Sequence, residues 1–431
     1  MRIRRKLLED VFTVVVLFLA TGAFQTLVVD PTDLRAATDG SPFMQLLWLF
    51  VYVAVVFRLI PRYRQFMMLI RDNKYLVLLV LLAISSIVWS EDPALTLRRS
   101  VALLATTLIG VDFALRHSVR EQLRLLCIVL GLAVGLGVLA QLISPTMIPS
   151  WDFDQEAWHG VLGLKNDWAR IVVLGIVAIL SRSSRSRRDI LLIAPLSLGA
   201  LGLVVLARYM GALVILVLML LLFSVFGALR WRPKTLIIAG LASALIAVPI
   251  SYLFIQNFDK VTAVLGRDAT LTGRVSIWQL TLSSIAEKPI RGYGYSAFWE
   301  AESQTALRIR EEMKWATPHA HNGYIDLTLA LGFAGLLLFV ASYLTAARRA
   351  ISCYRSGIEH DSVWPLVYLS FFCLYQFIEG TLVAGNTIFW ILYVATCFSI
   401  TEATGKHQVM LRIDSKFLTP IQVFPFDQER A

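Results

Sequence analysis

Apolar runs of roughly 18 to 22 residues alternate along the chain with short polar connections, the spacing of helices that must cross a hydrocarbon core about 30 Å thick. The runs fall at 9–29, 43–60, 74–90, 100–115, 123–143, 167–181, 190–207, 209–229, 235–255, 322–344, 363–380 and 383–402. They predict about twelve transmembrane helices. The stretch from Leu213 to Val225 is apolar on every side, whereas a membrane β-barrel alternates over strands of about ten residues. The expected fold is all-α: a polytopic transmembrane helix bundle forming a single membrane domain over 1–431. A large extracytoplasmic loop carrying short helices is expected over 256–318, and a cytoplasmic tail over 403–431.

Composition agrees, since 57% hydrophobic and 16% charged residues exclude a water-soluble globular fold and leave the lipid bilayer as solvent. A net charge of +10 raises the question of nucleic acid, and the positions of the basic residues answer it. They collect in alternate connections, at 1–6, 58–74, 116–124, 182–188, 230–234 and 348–355, while the intervening ones are acidic or nearly neutral. By the positive-inside rule both termini are cytoplasmic, no span is out of phase, and no nucleic-acid partner is implied. The basic residues at 1–6 precede an apolar run, but 22–30 offers no small-residue cleavage site, so the segment reads as a retained first helix. Cys127, Cys353, Cys373 and Cys397 have no CxxC spacing, so neither a disulfide framework nor a zinc site is implied.

The candidate chemistry gathers on the expected outer side. Lys165, Arg208, Arg267, Arg274, His319 and His321 belong to external loops or to the outer ends of spans. Arginine presents a planar fork of donors suited to phosphate oxygens, although such cations can also serve lipid headgroups or nearby carboxylates. Arg208 interrupts two apolar runs and should face protein or a water-filled cavity. His321, followed by Asn322 at the start of the tenth span, suits a general base acting near neutral pH; the plainer reading is an interfacial histidine. Should His321 not be the base, Asp326 and Glu379 are next in line. Thr272 suits a helix cap, and Gly292-Tyr293-Gly294-Tyr295 is rich in turn formers. Asp152, Asp154 and Glu156 form an acidic external run that reads as a solvated loop face; no metal or other cofactor is expected.

Three motifs stand out: Gly160-Val161-Leu162-Gly163-Leu164-Lys165-Asn166; Thr272-Gly273-Arg274-Val275-Ser276-Ile277-Trp278 with Pro289 and Gly292-Tyr293-Gly294; and His321-Asn322 with Gly332-Phe333-Ala334-Gly335. Together they resemble the O-antigen ligase and polymerase superfamily. The chain departs from the pattern at Leu164, where family members often carry histidine, and at Tyr209-Met210, where small polar residues usually follow the cation. The resemblance implies an enzyme of the bacterial inner membrane with an extracytoplasmic active site. Its donor would be a polyprenyl-diphosphate-linked saccharide, its acceptor another saccharide, and other polysaccharide-assembly proteins its further partners. It assigns His321 as catalytic base, Arg208, Arg274 and Lys165 to the diphosphate, and Asn322, Asn166, Tyr324 and His319 to supporting places.

Within that superfamily the runs from Gly292 to Trp299 and from His319 to Tyr324 look most like the exopolysaccharide polymerases; a ligase handing O-antigen to lipid A core is the alternative. A secondary transporter is the rival from another class. Transporters tend to show two related halves and broken midplane helices, neither of which is evident in this sequence.

Overall fold

The computed structural model describes residues 2–24, 41–143, 157–162, 164–182, 187–228, 274–300, 303–314, 317–357 and 363–417. Among them every regular element is helical: α1 (Arg2–Ala20), α2 (Pro42–Leu59), α3 (Tyr63–Asp72), α4 (Lys74–Ser85), α5 (Pro93–Arg116), α6 (Val119–Ile143), α7 (Lys165–Leu180), α8 (Arg187–Leu206), α9 (Met210–Ala228), α10 (Arg274–Glu287), α11 (Gln304–Met313), α12 (Gly323–Ser356), α13 (Val363–Tyr375) and α14 (Ile388–Phe417). Eleven of the expected spans overlap a helix in whole or in part, and the ninth, 235–255, lies outside the described residues. Among the described residues, four helical stretches are long and apolar enough to cross a membrane: Pro42–Asp72, Pro93–Arg116, Val119–Ile143 and Gly323–Ser356. Five other apolar stretches are shorter. The described part of 256–318 carries two short helices, α10 and α11. Thr272, Arg267 and the acidic run at Asp152, Asp154 and Glu156 lie outside the described residues.

Two spans differ from the sequence reading in ways that build the site. The first is α12. The apolar pattern predicts one straight helix over 322–344, but the helix runs on to Ser356 and breaks at Gly332, whose φ of 65° and ψ of −170° are not helical. Along a continuous helix Tyr324 and Phe339 would stand about 22 Å apart, yet their ring centroids are 6.3 Å apart. The arms 323–331 and 333–356 therefore meet at a sharp bend, an elbow at Gly332.

An elbow frees backbone groups that must be paired elsewhere, and the segment 289–294 pairs them. Tyr293 N donates to Leu329 O (2.8 Å) and Gly294 N to Ala330 O (3.0 Å), while Phe333 N donates to Pro289 O (2.7 Å). The approach is close enough that a Cβ on Gly332 would lie 2.1 Å from Ile290 O, and one on Gly292 would lie 2.5 Å from Leu329 O. Two of the three sequence motifs are thus the two sides of one backbone junction.

The second difference is at the end of α13. The span expected over 363–380 stops as helix at Tyr375, and α14 starts at Ile388, leaving 376–387 irregular. Side chains from many helices hold this stretch. Arg170 Nη1 donates to Thr381 Oγ1 (3.1 Å), Tyr52 OH to Asn386 Oδ1 (2.6 Å) and Tyr295 OH to Val383 O (2.9 Å). Irregular backbone persists inside a helical bundle only where protein or water satisfies it. Below it Phe372 stacks on Tyr393 with centroids 5.0 Å apart, and Phe339 lies against both. Each such aromatic pair adds about 0.5–1.5 kcal/mol beyond burial, which fixes the floor under the irregular stretch.

Candidate functional site

Glu379, on the irregular stretch, is buried and faced by donors from four directions. Asn166 Nδ2 and Tyr209 OH both donate to its Oε1 at 3.0 Å, and Arg274 Nη2 lies 3.9 Å from the same oxygen. Its other oxygen, Oε2, is 3.7 Å from His321 Nδ1 and 3.8 Å from His319 Nε2. Burial by itself would raise the pKa of Glu379, but the histidines and Arg170 outweigh it and hold the carboxyl down to about 2.

Local structure explains how each donor arrives. Asn166 is the second residue of α7, Tyr209 caps the turn between α8 and α9, and Arg274 is the first residue of α10. One turn further along α10, Trp278 Nε1 donates to Ala320 O (2.9 Å), so the same face of α10 grips the His319-Ala320-His321 segment. Asn322 is the N-cap of α12 and accepts from the amides of Tyr324 and Ile325, satisfying two orphan donors. That cap leaves His321 just outside the helix with φ of 51°, a left-handed conformation uncommon for a residue with a Cβ. Asp326 Oδ1 accepts from Trp299 Nε1 (2.8 Å) and Ala320 N (3.0 Å), bracing the segment from below.

The two histidines are not equivalent. His319 Nδ1 accepts the backbone N–H of His321 at 3.0 Å, so in the neutral ring the proton sits on Nε2, the nitrogen facing Glu379. Burial first, then the charge of His321, lowers the His319 pKa to about 4. Among the described residues His319, His321 and Glu379 bring ligand-type atoms within 4.8 Å of one another. The donor chemistry fits a cation poorly: Nε2 of His319 carries a proton while its Nδ1 is accepting, and Arg274 already stands against Glu379.

Of the residues singled out in the sequence, His321, His319, Arg274 and Asn166 converge on Glu379. Lys165 is half-buried at the start of α7, adjacent to Asn166. Arg208 is exposed, with φ of 49°, immediately before Tyr209. Tyr324 works as a tie: its hydroxyl donates to Cys373 O (2.8 Å), joining the short arm of α12 to α13. The centre of the constellation, Glu379, had appeared in the sequence only as a substitute base, and Tyr209 only as a departure from the expected polar residues. Arg170 was not singled out; it bonds Asp167 and Thr381 and lies 4.3 Å from the Phe389 ring centroid.

Residues 194–340 match a protein-family model described as O-Antigen ligase. The exopolysaccharide production protein ExoQ of Rhizobium meliloti (strain 1021) is 31% identical over 100 residues, covering 22% of this chain and 23% of that protein. A protein of Rickettsia conorii that carries the provisional name polysaccharide ligase is 31% identical over 108 residues, or 24% of this chain and 26% of its own length. A counterpart in Rickettsia felis is 28% identical over 154 residues, 31% and 38% of the two chains. The alignments thus span between about a quarter and two fifths of these relatives' lengths. The family match includes Arg208, Arg274, His319 and His321 and excludes Asn166 and Glu379.

Proposed function

We propose, from the match of residues 194–340 to the family described as O-Antigen ligase, that the chain is a member of that superfamily and a polyprenyl-diphosphate-dependent glycosyltransferase that polymerises oligosaccharide repeat units at the outer face of the bacterial inner membrane. The convergence of His321 and Arg274 on Glu379 carries this reading. An acceptor hydroxyl attacks the anomeric carbon of the donor sugar. The new C–O bond forms as the bond from that carbon to the diphosphate breaks, and the hydroxyl proton passes to His321. Glu379 accepts only, so it orients His321 with Nδ1–H toward the carboxylate and leaves Nε2 as the base. Arg274, Arg208 and Lys165 receive the departing diphosphate. Asn166 and Tyr209 hold Glu379 in place so that Arg274 can turn from it to the phosphate.

Charge and geometry of the arginines separate by substitution. Arg274→Ala and Arg208→Ala are expected to abolish glycan chain extension, and the lysine variants to restore only part of it, because lysine keeps the charge and loses the fork. Glycan length on gels reads the result. Wild-type length in both alanine variants at normal protein abundance would remove the arginines from the mechanism.

The polymerase reading rests on the runs from Gly292 to Trp299 and from His319 to Tyr324, and on the likeness to an exopolysaccharide production protein. Glycan transfer to lipid A core is the second reading, favoured by the likeness to proteins named as polysaccharide ligases. A deletion strain distinguishes them. Loss of long exopolysaccharide with decorated lipid A core is the expected outcome; bare lipid A core with intact exopolysaccharide would establish the ligase.

A further inference from the structure

The basic connection 58–74 is not a plain loop. A single 3-10 turn, Ile60–Arg62, leads from α2 into the ten-residue helix α3. On one side Phe66, Leu69 and Ile70 pack into the core. On the other, Tyr63, Arg64, Met67, Met68 and Arg71 recur at three- and four-residue spacing and form one outward stripe. Tyr63, Met67 and Met68 are 58%, 57% and 62% exposed.

The cations of this connection divide by direction. Arg58 turns inward to Asp112 (2.9 Å), and Arg62 turns inward to the carbonyl of Leu115. Arg64, Arg71 and Lys74 are exposed, and no carboxylate among the described residues pairs with them. A surface facing hydrocarbon would not present two arginines, and one facing bulk water gains nothing from two methionines and a tyrosine more than half exposed. The boundary between headgroups and acyl chains suits both kinds of side chain.

The position of α3 agrees. Arg349 Nη2 donates to Asp72 O (2.9 Å) at the end of α3, and Arg349 stands about 25 Å along α12 from the Gly332 elbow, close to one hydrocarbon thickness. At the elbow end Trp89 Nε1 donates to Arg291 O (3.0 Å), and the Arg291 guanidinium lies 6.0 Å from the Trp89 ring centroid. The segment 74–89 thus has Lys74 and Tyr75 at one end and Trp89, beside Arg291, at the other, the basic and aromatic residues that mark two opposite interfaces.

We propose that α3 is a binding surface for anionic phospholipid in the leaflet remote from the elbow, with Arg64, Arg71 and Lys74 on the phosphates and Tyr63, Met67 and Met68 among the upper acyl carbons. The full-length protein in detergent micelles, titrated with phosphatidylglycerol or phosphatidylcholine and read by native mass spectrometry, tests it. Phosphatidylglycerol is expected to bind preferentially, and the triple variant Arg64→Gln/Arg71→Gln/Lys74→Gln to lose about fivefold in that affinity per charge removed, with phosphatidylcholine unaffected. In vesicles of phosphatidylethanolamine and phosphatidylglycerol, a nitroxide on Met67→Cys, with the signal of protein lacking that cysteine subtracted, should be reached by oxygen in preference to a water-soluble relaxant. This second measurement keeps all three charges and does not depend on the triple variant accumulating. An unchanged lipid preference in the triple variant, or a water-exposed label at position 67 as an acidic protein partner would leave it, overturns the proposal.

Discussion

His321→Ala is expected to slow glycosyl transfer by about 10² to 10⁴, the range for loss of a general base, while the protein still inserts and still binds lipid-linked donor. The expectation comes from geometry. His321 is held outside the first turn of α12 by the Asn322 cap and faces a carboxylate whose other oxygen is already satisfied by Asn166 and Tyr209. His319→Gln should cost far less, because the Nδ1 of His319 is spent on the His321 amide. The pH–rate profile makes the distinction sharper. With Glu379 held near 2 and His319 near 4, neither changes charge around neutral pH. The pH–rate profile there should therefore be the same in His319→Gln as in the wild type. Turnover of purified protein with defined donor and acceptor is the measurement, and an ordinary rate in His321→Ala would pass the role to Glu379 or Asp326.

Gly332→Ala should be the most damaging single methyl group that can be added to α12. Its Cβ would sit 2.1 Å from Ile290 O, a backbone atom that cannot swing aside, and φ is 65°. Gly357→Ala is the control. It too has positive φ, 66°, but nothing lies within 4 Å of its added carbon, so the variant should lose only the 1–2 kcal/mol of left-handed strain. Gly332→Ala should lose at least about 4 kcal/mol, the range reserved for a broken structural feature. Thermal unfolding of the purified protein in detergent compares them, and equal shifts would mean that strain, not the docked 289–294 backbone, sets the glycine requirement.

The helices were legible because apolar runs of the right length leave little choice in a bilayer, and the candidate site was legible because His321-Asn322, Arg274 and Lys165-Asn166 stand in recognisable motifs. The elbow was not. Gly332 lies in an apolar run that reads equally well as straight helix, and the carbonyls and amides that break it belong to a segment some forty residues earlier. The irregular stretch 376–387 was legible only in part: the spans were expected to end at 380 and resume at 383, but Gly380, Gly385 and Asn386, which favour a longer break, were not weighed. A signal for Glu379 did exist: a single carboxylate at the end of an otherwise apolar run needs a partner or a function. Tyr209 illustrates a further limit. A search for small polar residues passed over a phenol that reaches the carboxylate by length alone. In 58–74 the basic count was read, but the three- and four-residue spacing of Phe66, Leu69 and Ile70 that makes it a helix was not.

The junction at the elbow also joins two parts of the chain mechanically. Because 289–294 and 329–334 share their backbone hydrogen bonds, neither can open to water without exposing the other, and they form one cooperative unit. Ala320 and His321 hang from the same unit at both ends, through Trp278 on α10 and through the short arm of α12. A load on the segment before the elbow would thus be transmitted to the histidine along two routes, the shared backbone hydrogen bonds of the junction and the indole of Trp278.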